Sequence, residues 1–438
     1  MTATSNHSRG ETGPANPPID PLPRYRALLY SVANLGGGAF YSFNNYVLPL
    51  FLSHYTRNAV VLGLMGSTHS VEGAVIQPVV GNASDRLRSP WGRRRPFMLV
   101  FMLLSALFLG LTPLGALAAP SARLPLMVAA IFLFTVTFNI AFDPYQALMP
   151  DITPPAQRGR VQGLWALAGN LAQACVPLMV FLLRLPLADS FLVVAAAMAL
   201  TMVTTCIGIT EPRDLNPVPR VSLGSQMVDA LSGLHTLKQA GLAIVVFSIA
   251  GAGIGAVTPT LTLFVKTITH CSDQTALMMA FVLMLSTAAF VGPAGILTDR
   301  IGPKKVVELS FALIAAAAIG ALWIHTVGQV ALIMGLAGLG NAAQAAAAYP
   351  LLTDLVPAEE VGFYTGFQST ALSLVQPVTV FFTGLLINLG GHNYRVVFLV
   401  LAMCMALAGT VLTQVDQGRA VHEIRKRDTE MGRRPSNA

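Results

Sequence analysis

The chain has 438 residues, of which 54% are hydrophobic and only 11% charged, with a net charge of +7; in a water-soluble domain about a quarter of residues are charged. A surface facing water on all sides is therefore excluded, and the apolar runs of roughly 20 residues that recur along the chain are each long enough to cross a hydrocarbon core about 30 Å thick. Four cysteines, Cys175, Cys206, Cys271 and Cys404, share no CxxC spacing, so neither zinc nor a disulfide framework is indicated.

The first 23 residues hold five prolines and can neither span a bilayer nor pack a core. Residues 1–24 read as a disordered tail, with no apolar signal-peptide region. Twelve spans follow, approximately 26–52, 59–83, 96–117, 124–149, 160–184, 188–209, 239–265, 275–297, 306–326, 329–353, 363–388 and 394–415. Long runs dominated by Ala, Gly and Leu predict helices, since a barrel would need short alternating strands. The expected architecture is an all-α membrane protein of twelve transmembrane helices. An N-terminal six-helix half over 25–210 is joined by a polar linker over 211–238 to a C-terminal half over 239–416, with a tail over 417–438.

Placing the tails and the even-numbered connections on one side leaves only Arg57, Arg123, Arg184, Lys266 and Arg395, of 27 Lys and Arg residues, on the other. Basic loops stay in the cytoplasm, so both termini are expected there. The positive charge is thus a topology signal, and nucleic-acid binding is the poorer explanation because the arginines are dispersed over short loops. The densest cluster is "SDRLRSPWGRRRPFML", residues 84–99, which runs directly into the third span.

The chain repeats itself. "GNASDR" at 81–86 and "GILTDR" at 295–300 close the second span of each half, and each is followed by Gly and a basic cluster. "DITPPAQRGRVQGLWALAGNLAQ" from 151 aligns without gaps on "DLVPAEEVGFYTGFQSTALSLVQ" from 354, pairing Asp151 with Asp354, Gly163 with Gly366 and Gln173 with Gln376. "SVANLGGGA" at 31 matches "SIAGAGIGA" at 248. Two homologous halves are the simplest account.

Two six-helix halves with Gly-x3-Asp-Arg and a basic run between the second and third helices resemble the major facilitator superfamily over essentially the whole membrane region. "SDRLRSPWGRRRPF" followed by "PYQALMPDITPPAQRGR" is similar to the sucrose and proton symporter branch and, more distantly, to the glycoside, pentoside and hexuronide cation symporters. The resemblance implies halves rocking about a midplane site. It further implies a small-molecule substrate moved with a proton, no cofactor, and a monomer in the lipid bilayer, expected to be a bacterial inner membrane. The chain departs from the plant symporters at Gln146, where they tend to carry Arg, and this sets it apart from the sucrose carriers themselves.

In that setting Asp85 and Asp299 sit at helix ends, where a carboxylate can accept from arginines or from a facing helix N-terminus. With Arg86, Arg93, Arg94, Arg300 and Lys304 they would form a gate closing the cytoplasmic side, although the basic residues also serve topology. Within the apolar spans, ionisable groups are candidates for function. Glu72 lies mid-span with His69 at i−3 on the same face, and Asp143 heads a stripe with Asn139 at i−4 and Gln146 at i+3. An acid kept protonated by desolvation and ionised when water arrives is what a proton-coupled carrier needs. The plain alternative for each is a hydrogen bond between helices.

Neutral polar residues are plentiful: Asn34, Tyr41, Asn44 and Asn45 in the first span, Gln162, Asn170 and Gln173 in the fifth, Asn341, Gln344 and Tyr349 in the tenth, and Gln368 and Gln376 in the eleventh. Amides donate and accept, so as a set they suit a hydroxyl-rich uncharged ligand, whereas each alone serves equally as packing glue. No GxxxxGK[ST] string exists to hold ATP, and the intramembrane His and acids are too scattered for an enzyme. The expected function is a proton-coupled symporter of a neutral sugar or glycoside, with a drug exporter of the same fold as the rival and a non-transporting sensor as a further possibility.

Overall fold

A computed structural model describes residues 21–84, 87, 89–211, 237–357, 360–420 and 423, with side chains described except at 69–79, 81, 82, 155 and 363. The described residues form twelve long helices. In the first half these are α1 (Arg24–Ser42, continued by Phe43–Val47 and Leu48–Leu52), α2 (Ala59–Ser84), α3 (Arg95–Leu111), α4 (Pro120–Ile152), α5 (Arg158–Leu182) and α6 (Leu187–Gly208). The second half holds α7 (Lys238–Val257, continued by Thr258–Thr260 and Leu261–Thr269), α8 (Asp273–Ile301), α9 (Pro303–Ala321), α10 (Val327–Thr353), α11 (Val361–Leu389) and α12 (Arg395–Leu412).

Nine helices among the described residues are long and apolar enough to cross a membrane. α9 is not one of them, because Lys304, Lys305 and Glu308 occupy its first two turns. Large side chains such as Leu107, Leu200, Ile207, Leu332 and Leu407 stand exposed on the outside of the bundle, as a hydrocarbon solvent requires.

The packing repeats with a shift of six helices. α1 packs on α5 and α6, α2 on α4, and α3 on α4 and α6; correspondingly α7 packs on α11 and α12, α8 on α10, and α9 on α10 and α12. The halves meet along two equivalent seams, α2 with α11 and α5 with α8. One contact shows how the repeat survives sequence change. Asn34 of α1 lies over Gly169 of α5, and at the aligned positions of the other half Leu372 of α11 lies over Gly251 of α7. The large and small partners have exchanged helices while the filled volume is kept, the exchange a close-packed interior tolerates best.

Both first helices break at matching places. Pro49 follows the π-helical turn of α1, and Pro259 sits in the 3-10 turn of α7. Each proline removes one backbone donor from the helix ladder. The two breaks meet: Thr262 Oγ1 donates to the carbonyl of Tyr46 at 3.0 Å. The chain also turns alike in each half before the third helix, at Gly92 (φ 101°) and Gly302 (φ 89°), a backbone region that favours glycine. At Gly92 a side chain would in addition collide with Glu211.

Candidate functional site

The bundle has two ends. One, the basic end, carries the starts of α1, α3, α5, α7 and α9; the other, the far end, carries His54, Arg123 and Lys266. Among the described residues, hydrogen bonds and ion pairs tie the halves together toward the far end. His54 Nε2 meets Asp273 Oδ2 at 3.0 Å and Lys266 Nζ at 3.4 Å, and Asp273 is held in turn by Lys266 at 2.6 Å. Asn388 Nδ2 donates to Asn58 Oδ1 at 2.8 Å, and its Oδ1 accepts from the Ala59 amide, also at 2.8 Å. Toward the basic end, a side chain at Gly159 or Gly163 of α5, or at Gly362 or Gly366 of α11, would meet nothing within 4 Å. Among the described residues, the halves are therefore tied at the far end, and α5 and α11 have open space beside these glycines toward the basic end.

Each half has its own charge cluster at the basic end. Arg93 and Arg94 converge on Asp151 at the end of α4, at 2.7 and 3.0 Å. The backbone amide of Arg94 donates to Glu211 at 3.0 Å, and Arg93 Nε lies 3.5 Å from the same carboxylate. Burial pushes the Glu211 carboxyl above its ordinary range, against the pull of the Arg94 and Arg95 amides and the charges of Arg93 and Arg94. In the other half Asp354, aligned with Asp151, accepts from Gln417 at 3.1 Å, and burial raises its carboxyl pKa despite that bond. Lys304 Nζ donates to the Val415 carbonyl at 2.7 Å. Each aspartate is thus joined to the segment that follows the sixth helix of its own half, Asp151 through Arg93 and Arg94 and Asp354 directly. Asp299 and Arg300 are exposed at the end of α8. Asp85 and Arg86 lie outside the described residues.

The polar residues of the spans fall into distinct settings. Asn34 Nδ2 donates to the Trp165 carbonyl at 2.7 Å, and Asn44 Nδ2 to the Gly66 carbonyl at 3.0 Å, so both buried amides tie helices together. Tyr41 stands edge-on to Phe40, Phe138 and Phe142, with centroids 5.2, 5.9 and 6.2 Å away, and interacts electrostatically with half-buried Asp143. Asn139 is buried one turn earlier, Asn45 is half-buried and Gln146 is exposed. Gln162 and Asn170 are exposed on α5, while Gln173, Gln368 and Gln376 are half-buried, the last lying over Gly255. In α10, Asn341 and Gln344 are half-buried and Tyr349 is exposed. Glu72 and His69 belong to α2, but their side chains lie outside those described.

Sequence reading missed four features. Asp151 appeared only as a member of the repeat, Glu211 only as the start of the linker, and the His54, Lys266 and Asp273 group brings together the far ends of α1, α7 and α8, with His54 widely separated in sequence from the other two. A fourth is the reciprocal pair in which Tyr145 OH donates to the Tyr30 carbonyl at 2.7 Å and Tyr30 OH to the Tyr145 carbonyl at 3.2 Å. No local pattern announces such a pair.

Comparison with known proteins agrees with this architecture. A human membrane-associated transporter protein is 36% identical over 148 residues, 30% of this chain and 26% of that protein. A human proton-associated sugar transporter A is 31% identical over 35% of this chain and 22% of its own length. A sucrose transport protein of Arabidopsis thaliana is 30% identical over 29% of this chain and 24% of its own. These matches span about a quarter of each relative. Among solved structures, a point mutant of the nucleoside transporter NupG superimposes with a TM-score of 0.73 at 13% identity, covering 89% of this chain and 99% of that one. A D-xylose-proton symporter does so with 0.64 at 15% identity, covering 90% and 97%. The family model described as Major Facilitator Superfamily matches residues 30–292 and again 242–435, and with twelve helices in two equivalent halves the chain belongs to that superfamily of transporters, not to an enzyme family.

Proposed function

We propose that the chain is a secondary active transporter that carries a neutral sugar or glycoside together with a proton by alternating access. The observation that carries the mechanism is the uneven contact between halves, tied at His54–Asp273 and Asn58–Asn388 and open around Gly163 and Gly366. Rocking about the α2–α11 and α5–α8 seams exchanges which end is tied. With the basic end in the cytoplasm, by the distribution of Lys and Arg, this conformation is inward-open.

The membrane interior of the spans contains amides, hydroxyls and tyrosines but no Lys or Arg. That composition favours a neutral hydroxylated solute over an anion. Asp143 beside Tyr41, with Glu72 in α2, supplies the carboxyl groups for a proton. Gating on the basic side is assigned to the Gly-x3-Asp-Arg segments with Arg93, Arg94 and Lys304, each able to exchange its bonds within a half for bonds across the gap. The sugar-transporter names of two relatives point the same way.

A thermal-stability screen of the purified protein tests the substrate class. A ligand at 100 times its Kd stabilises by about 2.7 kcal/mol. Stabilisation by mono- or disaccharides or glycosides is expected, and stabilisation by lipophilic cations alone would replace the symporter reading with that of an exporter.

A further inference from the structure

Within the C-terminal half, α7, α8, α9, α10 and α12 leave a cavity of about 160 Å³. Apart from Tyr46, Thr258 and Asn341, its wall is apolar, built from side chains such as Leu283, Ile314 and Phe398. An engineered cavity of about 150 Å³, lined wholly by apolar side chains, takes up benzene, and this one is of similar volume. Asn341 is the exception in that wall. Its half-buried amide makes no hydrogen bond to any described residue, so its donors and its acceptor are available to an occupant.

The cavity is also sensitive to conformation. Tyr46, the contribution of the other half, lies in the π-helical turn of α1 and is fastened to α7 by the bond from Thr262. On the alternating-access reading proposed above, opening the far end separates α1 from α7 and takes that wall away. An occupant is retained only while the far end is shut, and by preferring that state it raises its population.

We propose that this cavity, walled by the C-terminal half except for Tyr46, is a second ligand site for a molecule of single-ring size that is apolar except for one hydrogen-bonding group set against Asn341, and that its occupant holds the far end closed. The site stands independently of which solute is transported.

Fluorine NMR of the purified full-length protein with 4-fluorophenol and fluorobenzene tests this. Both probes should show saturable binding, the phenol about fivefold tighter for its one extra hydrogen bond. Asn341→Leu should make the two equal, while Ala318→Leu and Ala337→Leu, which fill the space, should each abolish binding. As a second readout, cysteines replacing Asn58 and Asn388 should form their disulfide faster with fluorophenol present, because the two side chains meet only when the far end is closed. Absence of binding to the wild type, binding unchanged in both filled variants, or an unaltered disulfide rate would each overturn the proposal.

Discussion

His54, just past α1, lies 3.0 Å from Asp273, the first residue of α8, and this contact ties the N-terminal half to the C-terminal half at the far end. The carboxylate is held by its own half as well, through Lys266 at 2.6 Å. Its place in the first turn of α8 gives it the favourable end of the helix dipole. Three groups thus make a latch that must part whenever the far end opens.

Asp273→Asn should loosen this latch. Partly exposed ion pairs contribute up to about 1 kcal/mol, so the far-end-open population is expected to rise by up to about fivefold. Labelling of a cysteine at Ser53 by an impermeant reagent, compared with and without the substitution, measures the shift.

Glu211 gives a pH signature. Its carboxyl pKa is raised in the folded protein above the ordinary 4.5, so the folded state binds this proton more tightly than the unfolded chain does. The associated stability is present below the unfolded value and is lost as pH rises through the folded one. Melting midpoints of the wild type minus those of Glu211→Gln, followed upward from pH 4, should therefore fall with pH. A flat difference would mean that the arginines, not burial, govern this carboxyl.

Asp143→Asn and Glu72→Gln test coupling. If either carboxyl carries the proton, its neutral variant should lose gradient-driven accumulation in vesicles yet keep exchange of substrate across the membrane. Normal accumulation by both variants would place the coupling group elsewhere.

Gly38 lies so close to the backbone of Gly169 that a Cβ would collide with its carbonyl. Gly38→Ala should force α1 and α5 apart and cost about 1–3 kcal/mol, read as a lowered melting temperature. The same change at Gly366, where nothing lies within 4 Å, should be close to neutral by that measure.

Reporter fusions after Arg57 or Lys266 should report the outside of the membrane, and fusions after Arg213 the cytoplasm. The opposite pattern would reverse the orientation and turn the inward-open reading into an outward-open one.

Hydropathy and internal repetition were enough to establish the twelve helices and the two halves, because in hydrocarbon each span must satisfy its own backbone and so declares itself by length and composition alone. The family resemblance was legible in the same way, through short strings at fixed offsets such as "GNASDR" and "GILTDR". What a polar residue does inside a span was not legible. Asn34 and Asn170 read alike as amides in apolar helices, yet the first is buried against the Trp165 carbonyl and the second is exposed. Periodicity fixes the face on which a side chain lies, whereas its partner depends on which helix the packing brings opposite. Contacts between residues far apart in the chain, such as His54 with Asp273 or Arg94 with Glu211, were likewise decided only by the tertiary structure. So was the tied end of the molecule, since one sequence supports both ends of an alternating cycle and only the arrangement of the halves says which is closed.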